Sequence, residues 1–300
     1  MNDDIKIRIH AFNWLKDQTE IFGELLPRSL LQKGFIFQGQ RVPLVSPQGI
    51  FKPRIMDLPL SITTTPNSPY DDRYSDDEYL IYRYRGTDPS HPDNVGLRKL
   101  MLEKKPLIYF NGVVPGKYLP VWPVFIIKDD ETSLSFSIVV EDPNLIHIGE
   151  EESSAIAEPS DSRRAYLTSL TKVRLHQQGF RERVLKAYRS QCAFCRLKHL
   201  ELLDAAHIIP DHEPCSQPTV NNGLALCKLH HAAFDNFILG ISPDYRIKVR
   251  PDVMEEADGP LLIHGLQEFD GRILTLPNRR EDYPDRDALD WKYNRFLDAA

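Results

Sequence analysis

The sequence predicts an α+β protein in two parts: a β-rich first domain, and a second domain in which two strands and a helix carry metal-ligand residue types at their joints. Three observations lead there. Residues 149–164, GEEESSAIAEPSDSRR, are acidic, rich in serine and poor in large apolar side chains, which is linker composition. Before them the chain is rich in proline and in short strand-like runs bounded by turn residues. After them comes a Cys-x-x-Cys, and then NNGLALCKLHHAAFD at 221–235, which crowds Cys227, His230, His231 and Asp235 onto one helix start. The domains are therefore expected at 1–148 and 164–300, joined by an acidic linker at 149–163. A chain of 300 residues is long enough for two cores.

The elements follow in order. A helix is expected over 12–32, broken near Pro27, and a second over 94–104. The runs GFIFQGQRVPLV, EYLIYRYRG, KPLIYFNGVV and YLPVWPVFII are enriched in β-branched and aromatic residues and read as strands. Beyond the linker, RRAYLTSLTKVRLHQQGFRERVLKAYRSQ reads as helix in two pieces around Gly179. A Cys-x-x-Cys turn, a strand ending near His207, a polar loop, the strand GLALC and the helix KLHHAAFDNF come next. Two strands around ILGISPDYRIKVR and a last helix in LDWKYNRFLDAA complete the second domain.

Composition narrows the functional classes. With 41% hydrophobic and 27% charged residues the chain has the make-up of an ordinary globular protein. No uninterrupted apolar run approaches the ~18–20 residues of a membrane span. The start, MNDDIKIRIH, lacks the apolar stretch of a secretory signal. Four cysteines then point to a reducing cytoplasm and to metal binding rather than disulfides. The net charge of −6 excludes a protein that is basic throughout, but the charge is uneven. Residues 163–250 hold 14 Lys and Arg against 7 Asp and Glu, whereas 151–162 hold none against 4 and 251–300 hold 6 against 12. A basic segment between acidic ones suits local contact with phosphates, and equally a solvated helix face.

Helical geometry divides the ligand types into two sets. Neighbours i and i+1 point to different faces, whereas i and i+4 share one. Cys227 and His230 can then serve one metal while His231 and Asp235 serve another. Cys192 and Cys195, from CAFC, pair with Cys227 and His230 as Cys-x₂-Cys…Cys-x₂-His, which suits tetrahedral zinc in a closed structural site. Cys215 has no paired partner and stands in a polar loop.

The remaining residues run His207, Asn222 fifteen later, His231 nine beyond that and Asp235 four beyond again. With AAHIIP, NNGLAL and HHAAFD, residues 180–250 resemble the HNH, or ββα-metal, nuclease family. The resemblance implies an endonuclease in which His207 is the general base that activates water, and in which His231 and Asp235 hold a catalytic divalent ion. Asn222 would fix the loop and the base strand. Mg²⁺ keeps several waters and imidazole also suits Mn²⁺ or Ni²⁺, so the ion's identity stays open. Many family members carry Asp or His just before the base. Here that position is Ala206, and Asp204 could contribute only if the strand brings it round.

The stretch PLSITTTPNSPYDDRYSDDEYLIYRYRGTD, with DNVGLRKLMLEKKPLIYF and YLPVWPVFII after it, resembles the SRA family of PUA-like barrels over residues 49–128. That family reads modified cytosine in DNA. The YDD turn lacks one residue of the family's usual spacing. The implied chemistry is base flipping into a pocket with aromatic walls and an acceptor for the exocyclic amine. Tyr70 with Tyr82 or Tyr84 would supply the walls, and Asp72 or Asp71 the acceptor.

Together these resemblances imply a modification-dependent restriction endonuclease. It would recognise 5-methyl- or 5-hydroxymethylcytosine in double-stranded DNA and cut nearby phosphodiesters. With one nuclease site per chain, a double-strand break implies a homodimer or two independent nicks. One alternative is an HNH endonuclease whose first domain reads unmodified sequence, phosphorothioate DNA or RNA. Another is a non-catalytic DNA-binding reader.

Overall fold

The computed structural model describes residues 3–65, 79–141, 161–257 and 259–299. These form a mixed α+β chain that divides into two compact units, 1–175 and 176–300.

The first unit opens with helix α1 (Asp3–Phe22), followed by β1 (Leu26–Pro27), α2 (Arg28–Lys33), β2 (Phe35–Phe37) and β3 (Gln40–Val42). Helix α1 starts well before the expected residue 12. Asp3 and Asp4 favour a helix N-terminus, and Arg8, fully buried, donates to Asp4 one turn earlier (2.9 Å) and to the Pro106 carbonyl (2.8 Å). A polar-looking segment is thus anchored by one internal ion pair. The break falls at 23–27, where Gly23 takes a positive φ of 81° after the end of α1 and Leu26–Pro27 pairs with a strand before α2 begins.

Next come β4 (Ile50–Phe51), β5 (Ser61–Thr63), β6 (Leu80–Arg83), α3 (Pro92–Leu102), β7 (Leu107–Val114), β8 (Lys117–Asp130) and β9 (Ser135–Val140). They build a curled half-barrel sheet in the order β4-β5-β7-β8-β9-β6, with β1 also on β8. Only β5 and β7 run parallel. Register shifts in the β7–β8 and β8–β9 ladders bend the long strand β8. Both faces are covered, which explains the unbroken apolar run LIYF. Leu107 and Tyr109 join Leu97 and Leu100 of α3, while Ile108 and Phe110 join Ile7, Ala11 and Leu15 of α1.

Helix α4 (Asp161–Ala187) crosses the division between the units. The sequence expects linker up to 163, a second domain from 164 and a break at Gly179. The helix instead runs unbroken through Gly179, and its early part packs on the first unit. Arg164 pairs with Glu141 (2.8 Å), Thr168 accepts the Val140 N–H (3.0 Å), and Leu175 enters the first core.

The second unit contains β10 (Leu203–His207), β11 (Gly223–Cys227), α5 (Lys228–Asp235), β12 (Leu239–Ile241), β13 (Ile247–Val249), α6 (Pro251–Glu255), α7 (Pro260–Gly265) and α8 (Arg286–Ala299). β10 and β11 form an antiparallel hairpin that places His207 opposite Gly223, and α5 follows β11 directly. A Cβ on Gly223 would meet Val184 Cγ2 at 2.4 Å and the Phe180 ring at 2.8 Å, so only glycine lets the hairpin press onto α4 here. No helix among the described residues is long and apolar enough to cross a membrane.

Candidate active site and metal centre

The ββα arrangement carries both metal-ligand sets. The Sγ atoms of Cys192, Cys195 and Cys227 and the His230 ring nitrogen lie within 4.8 Å of one another. Tetrahedral zinc, with bonds of about 2.3 Å to sulfur and about 2.0 Å to nitrogen, sets ligand atoms roughly 3.5–3.8 Å apart. The Cys195–Cys227 sulfurs are 3.9 Å apart, and His230 Nδ1 is 3.4 Å from Cys192 and 3.1 Å from Cys227. His230 Nε2 faces the Gly265 carbonyl at 2.9 Å, which leaves Nδ1 free of a proton for a metal. Phe194 stacks on the ring, and Phe269 meets its edge. Hydrogen bonds from Cys192 and Cys195 hold the Cys227 thiol well below the usual thiol range, favouring the thiolate a metal needs. The four residues fit a structural zinc. Cys215 is exposed and takes no part.

One residue along α5, His231 turns the other way. Its Nε2 is 3.2 Å from Asp235 Oδ2, and its Nδ1 is 3.8 Å from Asp204 Oδ2. Octahedral Mg²⁺, with bonds of about 2.0–2.1 Å, separates adjacent ligand atoms by roughly 3 Å. Nε2 and Oδ2 therefore suit neighbouring positions on one divalent ion. Asp204 stands at the opposite ring nitrogen and also pairs with Lys228 (2.9 Å) and Arg181 (3.4 Å). At 3.8 Å from Nδ1 it makes no hydrogen bond to His231. Burial opposes ionising Asp235, but the hydrogen bond from His231 and the charges of His231 and Lys292 outweigh it and keep its carboxyl low.

His207 closes β10, half-buried, with its ring stacked on Phe180 of α4 at 3.9 Å and 9°. Burial lowers its pKa below the ordinary 6.5; Asp211 opposes this, and the charges of His176 and His231 add to it. The ring is thus held flat and biased toward the neutral form that can accept a proton.

Asn222 is buried and organises the loop between the two strands. Its Oδ1 accepts the Ile209 N–H (2.9 Å), and its Nδ2 donates to the carbonyls of Ile209 (3.1 Å) and Gln217 (3.0 Å). Its own carbonyl accepts the Ile208 N–H (2.9 Å). The residues just after His207 are therefore fixed by this side chain.

Sequence reasoning missed the supports that come from distant elements. Phe180 and Arg181 arrive on α4, the Gly265 carbonyl on α7 and Lys292 on α8. Lys292 lies 3.8 Å from Asp235 Oδ1. The only sequence-level signal is a lysine inside an apolar helical stripe.

In the first unit, Tyr70, Asp71 and Asp72 lie outside the described residues. Tyr82 and Tyr84 flank Arg83 at the end of β6, and both are buried in the core cluster that contains Phe136. The Tyr84 hydroxyl bonds Asp129, which also pairs with Arg98. The Tyr82 hydroxyl reaches the Thr63 carbonyl at 3.5 Å.

Residues 192–242 match the HNH_2 family model, described as HNH endonuclease, and this segment is an HNH endonuclease domain. The match takes in both ligand sets, His207 and Asn222. Among solved structures, the chain is similar to the "Modification dependent TagI restriction endonuclease", at 17% identity over 79% of this chain and 81% of that one, with a TM-score of 0.29. It is also similar to the "Type IV phosphorothioation-dependent restriction endonuclease ScoMcrA", at 13% identity over 80% of this chain and 57% of that one, with a TM-score of 0.21. No curated protein matches the chain.

Proposed function

We propose that this protein is a modification-dependent DNA endonuclease of the restriction type, working in the cytoplasm. The observation that carries the nuclease half is the ββα site itself, where a stacked, proton-poor His207 accompanies a His231–Asp235 pair spaced for one divalent ion. His207 accepts a proton from water as the water oxygen attacks phosphorus, and the leaving oxygen departs from the opposite side. When bound, the divalent ion, Mg²⁺ or Mn²⁺ with Ni²⁺ as a further candidate, supplies positive charge to the phosphorane and the leaving oxygen. His231 and Asp235 hold that ion, Asn222 keeps the base strand and loop in place, and the zinc set keeps α5 seated. Double-strand cleavage follows from a homodimer that places one site on each strand.

The first unit is read as a PUA-like, SRA-type reader of 5-methyl- or 5-hydroxymethylcytosine. Support comes from its order of motifs: the SIT strand, the YDD turn, the YRG strand end, the NVGL helix and the Tyr/Trp-rich strand. Tyr70 and Asp72, or Asp71, are the proposed pocket residues, with Tyr82 of β6 or Tyr84 just after it as the second wall.

The test is cleavage and binding on paired duplexes that differ only in one cytosine: unmodified, 5-methyl or 5-hydroxymethyl. A preference for a modified duplex is expected, and Asp72→Ala should reduce it by about 5- to 150-fold, the worth of a hydrogen bond of ~1–3 kcal/mol in a closed pocket. Equal action on all three duplexes would refute the reader assignment while leaving the nuclease reading intact.

A further inference from the structure

Helix α8 docks through a stripe of buried residues, Ala288, Leu289, Lys292 and Phe296, and one of the four is a lysine. Lys292 is only 5% exposed. Its ammonium lies 4.8 Å from the centre of the Phe234 ring and 5.0 Å from that of Phe237. Burying a charge in a core position is costly unless the charge is compensated, and an apolar side chain of equal length would pack there without that cost. The two rings offset part of that cost, and among the described residues the carboxylate paired with the ammonium is Asp235, whose Oδ1 is 3.8 Å away. The two oxygens of Asp235 are thereby divided: Oδ1 faces Lys292, while Oδ2 stands 3.2 Å from His231 Nε2.

We propose that Lys292 is a positioning residue of the divalent-ion site, holding Asp235 by Oδ1 so that Oδ2 is presented beside His231 Nε2. This rests on the reading of His231 and Asp235 as the ion's ligands. Being buried, Lys292 acts through Asp235 and not on DNA. Two opposite effects follow from its charge, and their sign is measurable. Orientation of the carboxylate makes the lysine favour ion binding, whereas repulsion of the incoming cation makes it oppose binding. Orientation prevails because two aromatic rings fix the ammonium on the side of Oδ1, and because an outer partner that orients a metal-ligating group typically contributes about 10- to 100-fold in affinity.

The experiment is Mn²⁺ titration of the zinc-loaded full chain, followed by electron paramagnetic resonance of the free ion. Wild type is compared with Lys292→Met, Lys292→Arg and Asp235→Ala, alongside thermal melts. Lys292→Met should melt no lower than wild type, since an apolar isostere replaces a buried charge, yet bind Mn²⁺ about tenfold more weakly. Lys292→Arg should recover most of that loss. Unchanged or tighter Mn²⁺ binding by folded Lys292→Met overturns the proposal. So does failure of both Lys292→Met and a further variant, Lys292→Gln, to fold, which would make the lysine a structural requirement of α8. Mn²⁺ binding that survives Asp235→Ala is a separate result, and it overturns the ligand reading itself.

Discussion

His230 and His231 are adjacent on a helix of eight residues, yet they live in different chemical worlds. His230 is 1% exposed, locked at Nε2 by the Gly265 carbonyl, stacked on Phe194 with Phe269 edge-on, and surrounded by three thiols. His231 is half-buried, with one carboxylate near each ring nitrogen. The first setting supplies four protein ligands and closes the metal off, which is what a structural ion requires. On the proposed reading the second supplies two and leaves the remaining positions to water and phosphate, which is what a reacting ion requires. The same residue type is thus assigned opposite tasks by a rotation of about 100° around one helix.

That contrast can be broken at either end. The largest effect is expected from Cys192→Ser, because structural zinc contributes on the order of 10–16 kcal/mol of binding free energy to folding in small metal domains. Metal analysis should find zinc lost and the second unit melting early; a soluble, active variant without zinc would contradict the structural role. Brief treatment with a chelator should do the reverse. Cleavage should vanish and return on adding Mg²⁺ or Mn²⁺, while zinc content and melting temperature stay unchanged. If activity cannot be restored without zinc, the two sites are not separable as described.

His207→Ala leaves both metal sets untouched and should lower turnover by about 10²- to 10⁴-fold, the usual worth of a positioned base. DNA binding should persist, and gel-shift titration beside single-turnover cleavage checks both. The smallest effect concerns pH. The base works when neutral, and burial lowers the His207 pKa below 6.5. Activity should therefore be full above that ordinary value and fall only as pH drops through the lowered one. A rate profile at saturating Mn²⁺ measures this, and an acid limb centred above 6.5 would remove burial as the controlling influence.

How much of this could be read in the sequence differs along the chain. The hairpin and α5 are local: Ala205 to His207, Gly223 to Cys227 and the two adjacent histidines all stand within the span of the hairpin and its helix, so their order alone fixes their neighbours. The zinc ligands were legible as two local pairs, Cys192 with Cys195 and Cys227 with His230, whose matched x-x spacing linked them although the pairs stand far apart in the chain. The N-terminal helix begins earlier than hydropathy suggests, because Arg8 is buried against Asp4 and the Pro106 carbonyl and hydropathy scores an arginine as exposed. Gly179 did not break α4, because tertiary packing of Leu175, Phe180 and Val184 outweighs the ~1 kcal/mol propensity cost of one glycine. Lys292 was invisible for want of any local link to Asp235. Only the helical stripe of Ala288, Leu289 and Phe296 around it marks the lysine as misplaced, and hence as a residue with a task.

The shared helix also sets where the chain tolerates indels. One residue inserted between His230 and His231 rotates everything after it by about 100°, which would swing His231 and Asp235 out of phase with His230. Between Asp211 and Cys215 the situation differs, since Asn222 grips Ile209 on one side and Ser216 and Gln217 on the other. An inserted residue there lengthens an exposed loop without moving either clamp, at a closure cost of only a fraction of a kcal/mol, about 0.6 per doubling of loop length. Length variation in this nuclease domain is therefore expected to concentrate in a five-residue window beside the base and to spare the eight-residue helix, a pattern that a library of single insertions would display directly.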